Sequence, residues 1–235
     1  ARHDAVAWGY AKEAAKRGVE IHQLTEVQDF VVNRNQVTAV KTNRGNIECG
    51  CVVQAVAGTS SLLMNKLKIR SPIQTFPLQA MVSQPFKPFL NPLVSSSALH
   101  CYVQQTSRGE IVFGGGSDPY PLYNTRSTLD LKESLLAHAI EMFPFMANVK
   151  LMRQWAGMTD MTPDYSPIMG QSPYDNYYLD AGWGTWGFKA TPICGKTMAE
   201  LVATGRTPDL IKPFELSRFS RFQQVNEMGA TAASH

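Results

Sequence analysis

The sequence predicts an α/β protein whose layers surround an antiparallel insertion, and three observations carry that expectation. Near the end, a strand, a glycine-rich loop and a helix follow one another in YYLDAGWGTWGFKATPICGKTMAELVATG (177–205). Earlier, an almost wholly apolar run, Cys51–Ala57, closes in the small-residue turn Gly58-Thr59-Ser60. Between the two lie several short β runs and one amphipathic helix, a pattern that folds as layers around a sheet insertion.

Each element can be argued in turn. Residues 3–17 are alanine-rich and stop at Gly18, so they read as a helix with a glycine C-cap. VEIHQL, VQDFVVNR and VTAVKTN then read as strands of a meander, parted by the polar turns NRNQ and NRGN. The run Cys51–Ala57 has the composition of a strand buried on both faces, and a short helix is expected over Ser61–Leu67. LQAMVSQ, LHCYVQQ and EIVFGGG are further β runs. Ser127–Phe143 places Leu129, Leu135, Leu136, Ala139 and Phe143 at roughly helical spacing. VKLMRQWAGMTDMTPDYSPIMG is a long strand followed by a turn stiffened by Pro163 and Pro167. YYLDAG is a strand, the glycine-rich stretch is its loop, and Thr197–Ala203 continues a helix closed by Gly205.

Composition narrows the classes. Of 235 residues, 44% are hydrophobic and 17% charged, which is ordinary for a folded chain rather than a disordered one. A net charge of +3 is too small and scattered to argue for nucleic acid. No apolar run reaches the roughly 18–20 residues that span a bilayer. Cys49, Cys51, Cys101 and Cys194 have neither zinc spacing nor the pattern of a disulfide framework, so reduced thiols in the cytoplasm and no metal site are expected. The chain lacks an initiator Met and reads as helical almost from its first residue, as a piece of something longer would.

The densest signal is GWGTWGFKATPICG (182–195), with Gly182, Gly184, Gly187 and Gly195 around a single lysine, Lys189. Glycines let backbone N–H groups approach a ligand closely, and a helix start is ready-made for an anion or a flat cofactor. A cation at that place opposes the helix dipole unless something anionic shares the site. The bland alternative is a tight turn. His3 beside Asp4 reads first as a polar pair at a helix start, His100 and His138 as structural, and Trp8, Trp155, Trp183 and Trp186 as packing residues.

Taken together, these segments resemble a known family. GWGTWGFKATPICG resembles the C-terminal flavin loop of D-amino-acid-oxidase-like, FAD-dependent amine oxidases, and MTPDYSPIMG resembles that family's TPD-x-x-P-x-(I/L)-G segment. ARHDAVAWGYAKEAAKRGVEI and the tail FELSRFSRFQQVNEMGATAASH are similar to the β subunits of heterotetrameric sarcosine oxidases, of which the chain would be the C-terminal part.

The resemblance implies a set of roles. His3 would carry covalent FMN, and the backbone at Val27 would meet the FAD adenine. Ala57 and Gly58 would lie near the dinucleotide. Gly184, Thr185, Trp186, Gly187, Phe188 and Lys189 would run along the isoalloxazine edge, with Lys189 also holding the substrate carboxylate. Two positions depart from the family: Trp186 stands where related β subunits usually have glycine, and Ile193-Cys194 replaces a Gly-Ser pair.

The fold implied is an FAD-binding Rossmann-like domain lacking its first βαβ unit, with its G-x-G-x-x-G phosphate loop, and carrying an inserted antiparallel-sheet substrate domain. Residues 1–75 and 151–216 would belong to the FAD-binding part, 76–150 to the substrate domain and 217–235 to a tail. The activity implied is oxidative demethylation of sarcosine, with FAD as hydride acceptor and FMN as relay to oxygen. The implied partners are α, γ and δ subunits, with tetrahydrofolate taking the one-carbon unit on the α subunit. Two other readings stay open. One is a single-flavin amine or amino-acid dehydrogenase, which has no need of His3. The other is a catalytically silent interaction module lacking the phosphate loop.

Overall fold

A computed structural model describes residues 2–225, so the last ten residues of the tail, and Ala1, lie outside the described residues. The first helix, α1 (His3–Lys16), forms as expected, but no residue of it is buried. Trp8, expected to pack, is 68% exposed on it. The segment 19–24 is not a strand: Leu24 takes a positive φ of 55°, and Val19, Ile21 and Leu24 remain exposed. Among the described residues no strand neighbours it to complete a ladder, so its alternating pattern has nothing to pair with.

The meander follows as β1 (Val27–Asn33), β2 (Gln36–Thr42) and β3 (Gly45–Glu48), antiparallel in that order. Val37 and Ala39 alternate inward from β2, and the Phe30 ring meets Tyr177 edge-on at 5.4 Å. Asn176 fastens the meander to the next layer, its Nδ2 donating to the Val37 and Gly50 carbonyls and its Oδ1 accepting the Val37 N–H, each at 2.8 Å.

The apolar run 51–57 is mostly not strand. Only β4 (Val52–Gln54) is extended, and Val53 is 43% exposed rather than buried on both faces. It forms the edge of a three-stranded sheet. The run ends in a 3₁₀ turn, Ala57–Thr59, and then α2 (Ser60–Lys66), close to expectation. The other two strands of this sheet come from far along the chain, β10 (Ile168–Gln171) and β11 (Tyr177–Ala181). The order is β10-β11-β4, with β11 parallel to β4 and antiparallel to β10.

Between them lies the insertion. It comprises β5 (Gln74–Pro85), β6 (Val94–Ser96), β7 (Cys101–Gln105), β8 (Glu110–Ser117), α3 (Leu129–Met142) and β9 (Leu151–Met161). The five strands form one sheet in the order β6-β7-β8-β5-β9. Leu135 and Ala139 of α3 cover one face of it, over Met81, Cys101, Val103, Ile111 and Phe113. Because β9 pairs with β5 along its length, this sheet runs on to Met161.

The last helix, α4 (Gly187–Thr204), starts at Gly187, well ahead of a helix beginning after Gly195, with Pro192 inside its second turn. Gly205 ends it in the left-handed conformation, as read from the sequence.

Candidate active site at the glycine-rich loop

The loop between β11 and α4 is shaped by the chain itself. Gly182 and Gly184 have φ of +72° and +52°, values that a side chain would strain. A Cβ at Gly182 would also lie 2.5 Å from Thr162 Cγ2, and one at Gly184 2.7 Å from Met161 Sδ. What approaches these glycines closely is therefore the end of β9. A Cβ at Gly187 would meet Trp183 at 3.2 Å, while Gly195 has nothing within 4 Å.

The N–H groups of this turn already have acceptors in the chain itself. Asp160, 2% exposed on β9, accepts the Gly182 N–H at 2.5 Å through Oδ2, and its carbonyl accepts the Gly184 N–H at 2.9 Å. Burial pushes the Asp160 carboxyl above the usual range, and the neighbouring N–H groups offset only part of that. Asp180 behaves alike: burial raises it, while Trp183 Nε1 donates to it at 2.6 Å. Cys194 is pushed up to about 12 by burial and by the charge of Asp180, so its thiol stays protonated and donates to the Ala190 carbonyl.

The next N–H groups along the loop are different. Gly187, Phe188 and Lys189 form the first turn of α4, where no side chain caps the helix. The first N–H groups of a helix have no partner inside it, so this turn presents donors outward. It opens on a cleft of about 800 Å³ whose walls include Ala55, Ala57, Gly184, Thr185, Gly187 and Phe188. A second cleft of about 720 Å³ lies on the other side, between the sheet of the insertion, α3 and the Thr162–Tyr165 turn. Leu78, Gly115 and Thr185 line both.

Of the residues singled out in the sequence, the fold gathers Ala57, Gly184, Thr185, Gly187 and Phe188 at the first cleft. It places the others elsewhere. Gly58 is buried against β9, where a Cβ would stand 2.4 Å from Met158 Cβ, so its smallness serves the join between sheets. Val27 opens β1 and packs against the core around Phe30 and Tyr177. His3 is exposed on α1, where Asp4 pairs with Arg2 at 2.8 Å rather than with the histidine. Lys189 is exposed, and its ammonium rests over the Trp186 ring, 4.0 Å from the centroid. Among the described residues it has no carboxylate partner. The indole face thus supplies the electron-rich contact that the sequence argument assigned to an anion.

Sequence reasoning passed over Asp160, Asp180 and the pair Asp164–Arg218. Arg218 grips Asp164 with two hydrogen bonds of 2.8 and 3.0 Å, both side chains 2% exposed, and donates to the Ser166 carbonyl as well. The available signal was an acid inside an otherwise apolar strand in WAGMTDM, since a buried carboxylate needs donors.

A strand, a tight glycine turn and an uncapped helix start over a cleft beside an antiparallel sheet define a class, and the comparisons bear it out. Residues 1–201 match the family of FAD dependent oxidoreductases, and the chain belongs to it. Within that family it is 43% identical, over its whole length, to sarcosine oxidase subunit beta of Rhodobacter capsulatus, and 42% identical to that of an Arthrobacter species. The chain spans 56% and 58% of those two proteins. Among solved structures, L-proline dehydrogenase from P. horikoshii superposes with a TM-score of 0.84 at 30% identity, over 92% of this chain and 59% of that one. Glycine oxidase from Geobacillus kaustophilus, at 23% identity and a TM-score of 0.78, shares the fold over 87% of this chain and 55% of its own. The mixed α/β architecture expected from the sequence is that of these two structures.

Proposed function

We propose that the chain is the C-terminal part of a flavoprotein subunit that oxidatively demethylates sarcosine, a secondary N-methyl amine. The observation that carries this reading is the uncapped first turn of α4, Gly187 to Lys189, opening on a cleft walled by Ala55, Ala57 and Gly184. Those residues fit FAD: small side chains leave room for a flat ring, and free N–H donors match an edge that gains negative charge on reduction. When bound, FAD supplies the hydride acceptor, with FMN relaying electrons to oxygen. Thr185, Trp186 and Phe188 flank the ring edge in this reading, and Lys189 holds the substrate carboxylate.

Several finer assignments belong to the same proposal. FAD adenine meets the backbone at Val27, and Ala57 and Gly58 lie along the dinucleotide. His3 is the attachment point for FMN, and its exposure on α1 leaves it accessible for that bond. The α, γ and δ subunits complete a heterotetramer in the cytoplasm, and tetrahydrofolate accepts the one-carbon unit on the α subunit. Residues 1–75 and 151–216 serve the FAD-binding part, residues 76–150 the substrate domain, and 217–235 the tail.

The test is an absorbance spectrum of the full-length subunit after denaturation. Yellow retained on the protein, with a flavin adduct on the peptide containing His3, supports the proposal. Released yellow alone indicates the single-flavin dehydrogenase, and a colourless protein the silent module.

A further inference from the structure

Trp186 and Lys189 stand three residues apart at the start of α4, with the lysine Nζ 4.0 Å from the indole centroid. Trp186 is half-buried, and it lines a small recess with Met161, Thr162, Gly184 and Thr185. Lys189 is exposed, and among the described residues its ammonium has no carboxylate partner and rests over the ring. A free lysine stem explores many rotamers, and at a helix start the dipole drives its charge away. The anchored ring opposes both effects, because its face attracts the ammonium and confines it. An ammonium has three N–H donors, so a ring on one side leaves the others for a carboxylate.

We propose that Trp186 is a positioning residue for Lys189: it holds the ammonium where an incoming carboxylate meets it. It thereby sets how strongly the site prefers carboxylate-bearing amines over amines without one. This rests on the reading of Lys189 as the carboxylate-binding residue.

The test uses the full-length subunit with its partners, comparing Trp186→Leu, Trp186→Phe and Lys189→Met. The quantity read is the ratio of kcat/KM for an N-methyl amino acid to that for the same amine lacking the carboxylate. Trp186→Leu is expected to lower this ratio about two- to fivefold, and Trp186→Phe to recover at least half of the loss. On a Lys189→Met background, Trp186→Leu should change the ratio no further. Independently of turnover, the Lys189 Cε protons should resonate upfield in the parent, under the ring current, and lose that shift in Trp186→Leu. An unchanged or increased ratio in Trp186→Leu overturns the proposal, as does a loss that persists without Lys189 or that Trp186→Phe does not repair. If Lys189→Met lowers the ratio while Trp186→Leu does not, this inference alone is wrong. If Lys189→Met leaves the ratio unchanged, the carboxylate reading of Lys189 fails and this inference with it.

Discussion

The carboxylate of Asp160 accepts the Gly182 N–H at 2.5 Å, across 22 residues of chain, and so pins the start of the flavin-family loop to the last residues of β9. The loop's shape therefore does not depend on a ligand to fill its first N–H groups. Asp160→Ala would strand a buried N–H and cost about 1–3 kcal/mol. Asp160→Asn, which keeps an acceptor oxygen, should cost less. Denaturant titration measures both, and equal losses would show that the acceptor is not what matters.

The pH dependence of this contact has a definite sign. Burial raises the Asp160 carboxyl in the folded state, so the native protein holds that proton at pH values where the unfolded chain has released it. Its contribution to stability therefore grows as pH falls through the raised folded value and levels off below the ordinary carboxylate range. Melting temperatures of Asp160→Asn and the parent should diverge in the parent's favour on acidification across that window.

Asp164 works in the opposite direction. Burial alone would push its carboxyl up, but the hydrogen bonds and charge of Arg218, with the Val225 N–H, bring it below the usual range. Its stability contribution is present at neutral pH and is lost as pH falls through that depressed value. Removing one partner leaves a buried charge alone, so Arg218→Ala and Asp164→Ala should each cost about 3–5 kcal/mol. A double-mutant cycle should give a coupling energy well above that of an exposed pair. Additive losses would remove the pair from the account.

Gly58→Ala tests the join between the two sheets. The added Cβ would lie 2.4 Å from Met158 Cβ and 2.8 Å from its backbone, and Thr75 Oγ1 donates to the Gly58 carbonyl at 2.7 Å, so the turn cannot easily retreat. Overpacking of this kind costs about 1–3 kcal/mol. Gly157→Ala, one residue before Met158 with nothing within 4 Å, is the matched control and should be close to neutral by thermal melt.

Lys189→Met tests the proposed chemistry. It keeps the apolar stem and removes the charge, and losing a charge-assisted contact of about 1.5–3 kcal/mol should lower kcat/KM for sarcosine roughly 10- to 150-fold. A twofold change or less with flavin retained would make Lys189 structural.

Much of the fold was legible because it is written locally. The alanine run before Gly18, the amphipathic face of α3 and the glycine that closes α4 are patterns of near neighbours, and each element appears where those patterns put it. The two strand expectations that failed share one cause. Residues 19–24 carry a strand's alternation, and 51–57 a buried strand's composition, but a strand exists only where a partner supplies its hydrogen bonds. Among the described residues, the first segment has no such partner and the second has one on a single side.

The sequence by itself determined the class. The glycine-rich stretch with its lysine and the TPDYSPIMG turn pointed to a flavin-dependent oxidoreductase through their resemblance to that family, and the α/β order of elements agreed with it, because motifs and helix periodicity are properties of consecutive residues. Only the tertiary structure decided what each of those residues faces. It is the pairing of β9 with β5, and of β11 with β4, that brings Asp160 beneath Gly182 and Met158 against Gly58. The buried union of Asp164 with Arg218 spans 54 residues. The placing of Lys189 over Trp186 depends on where α4 begins, ahead of the proline. Contacts between residues far apart depend on which surfaces the whole chain buries together, and no local pattern carries that information.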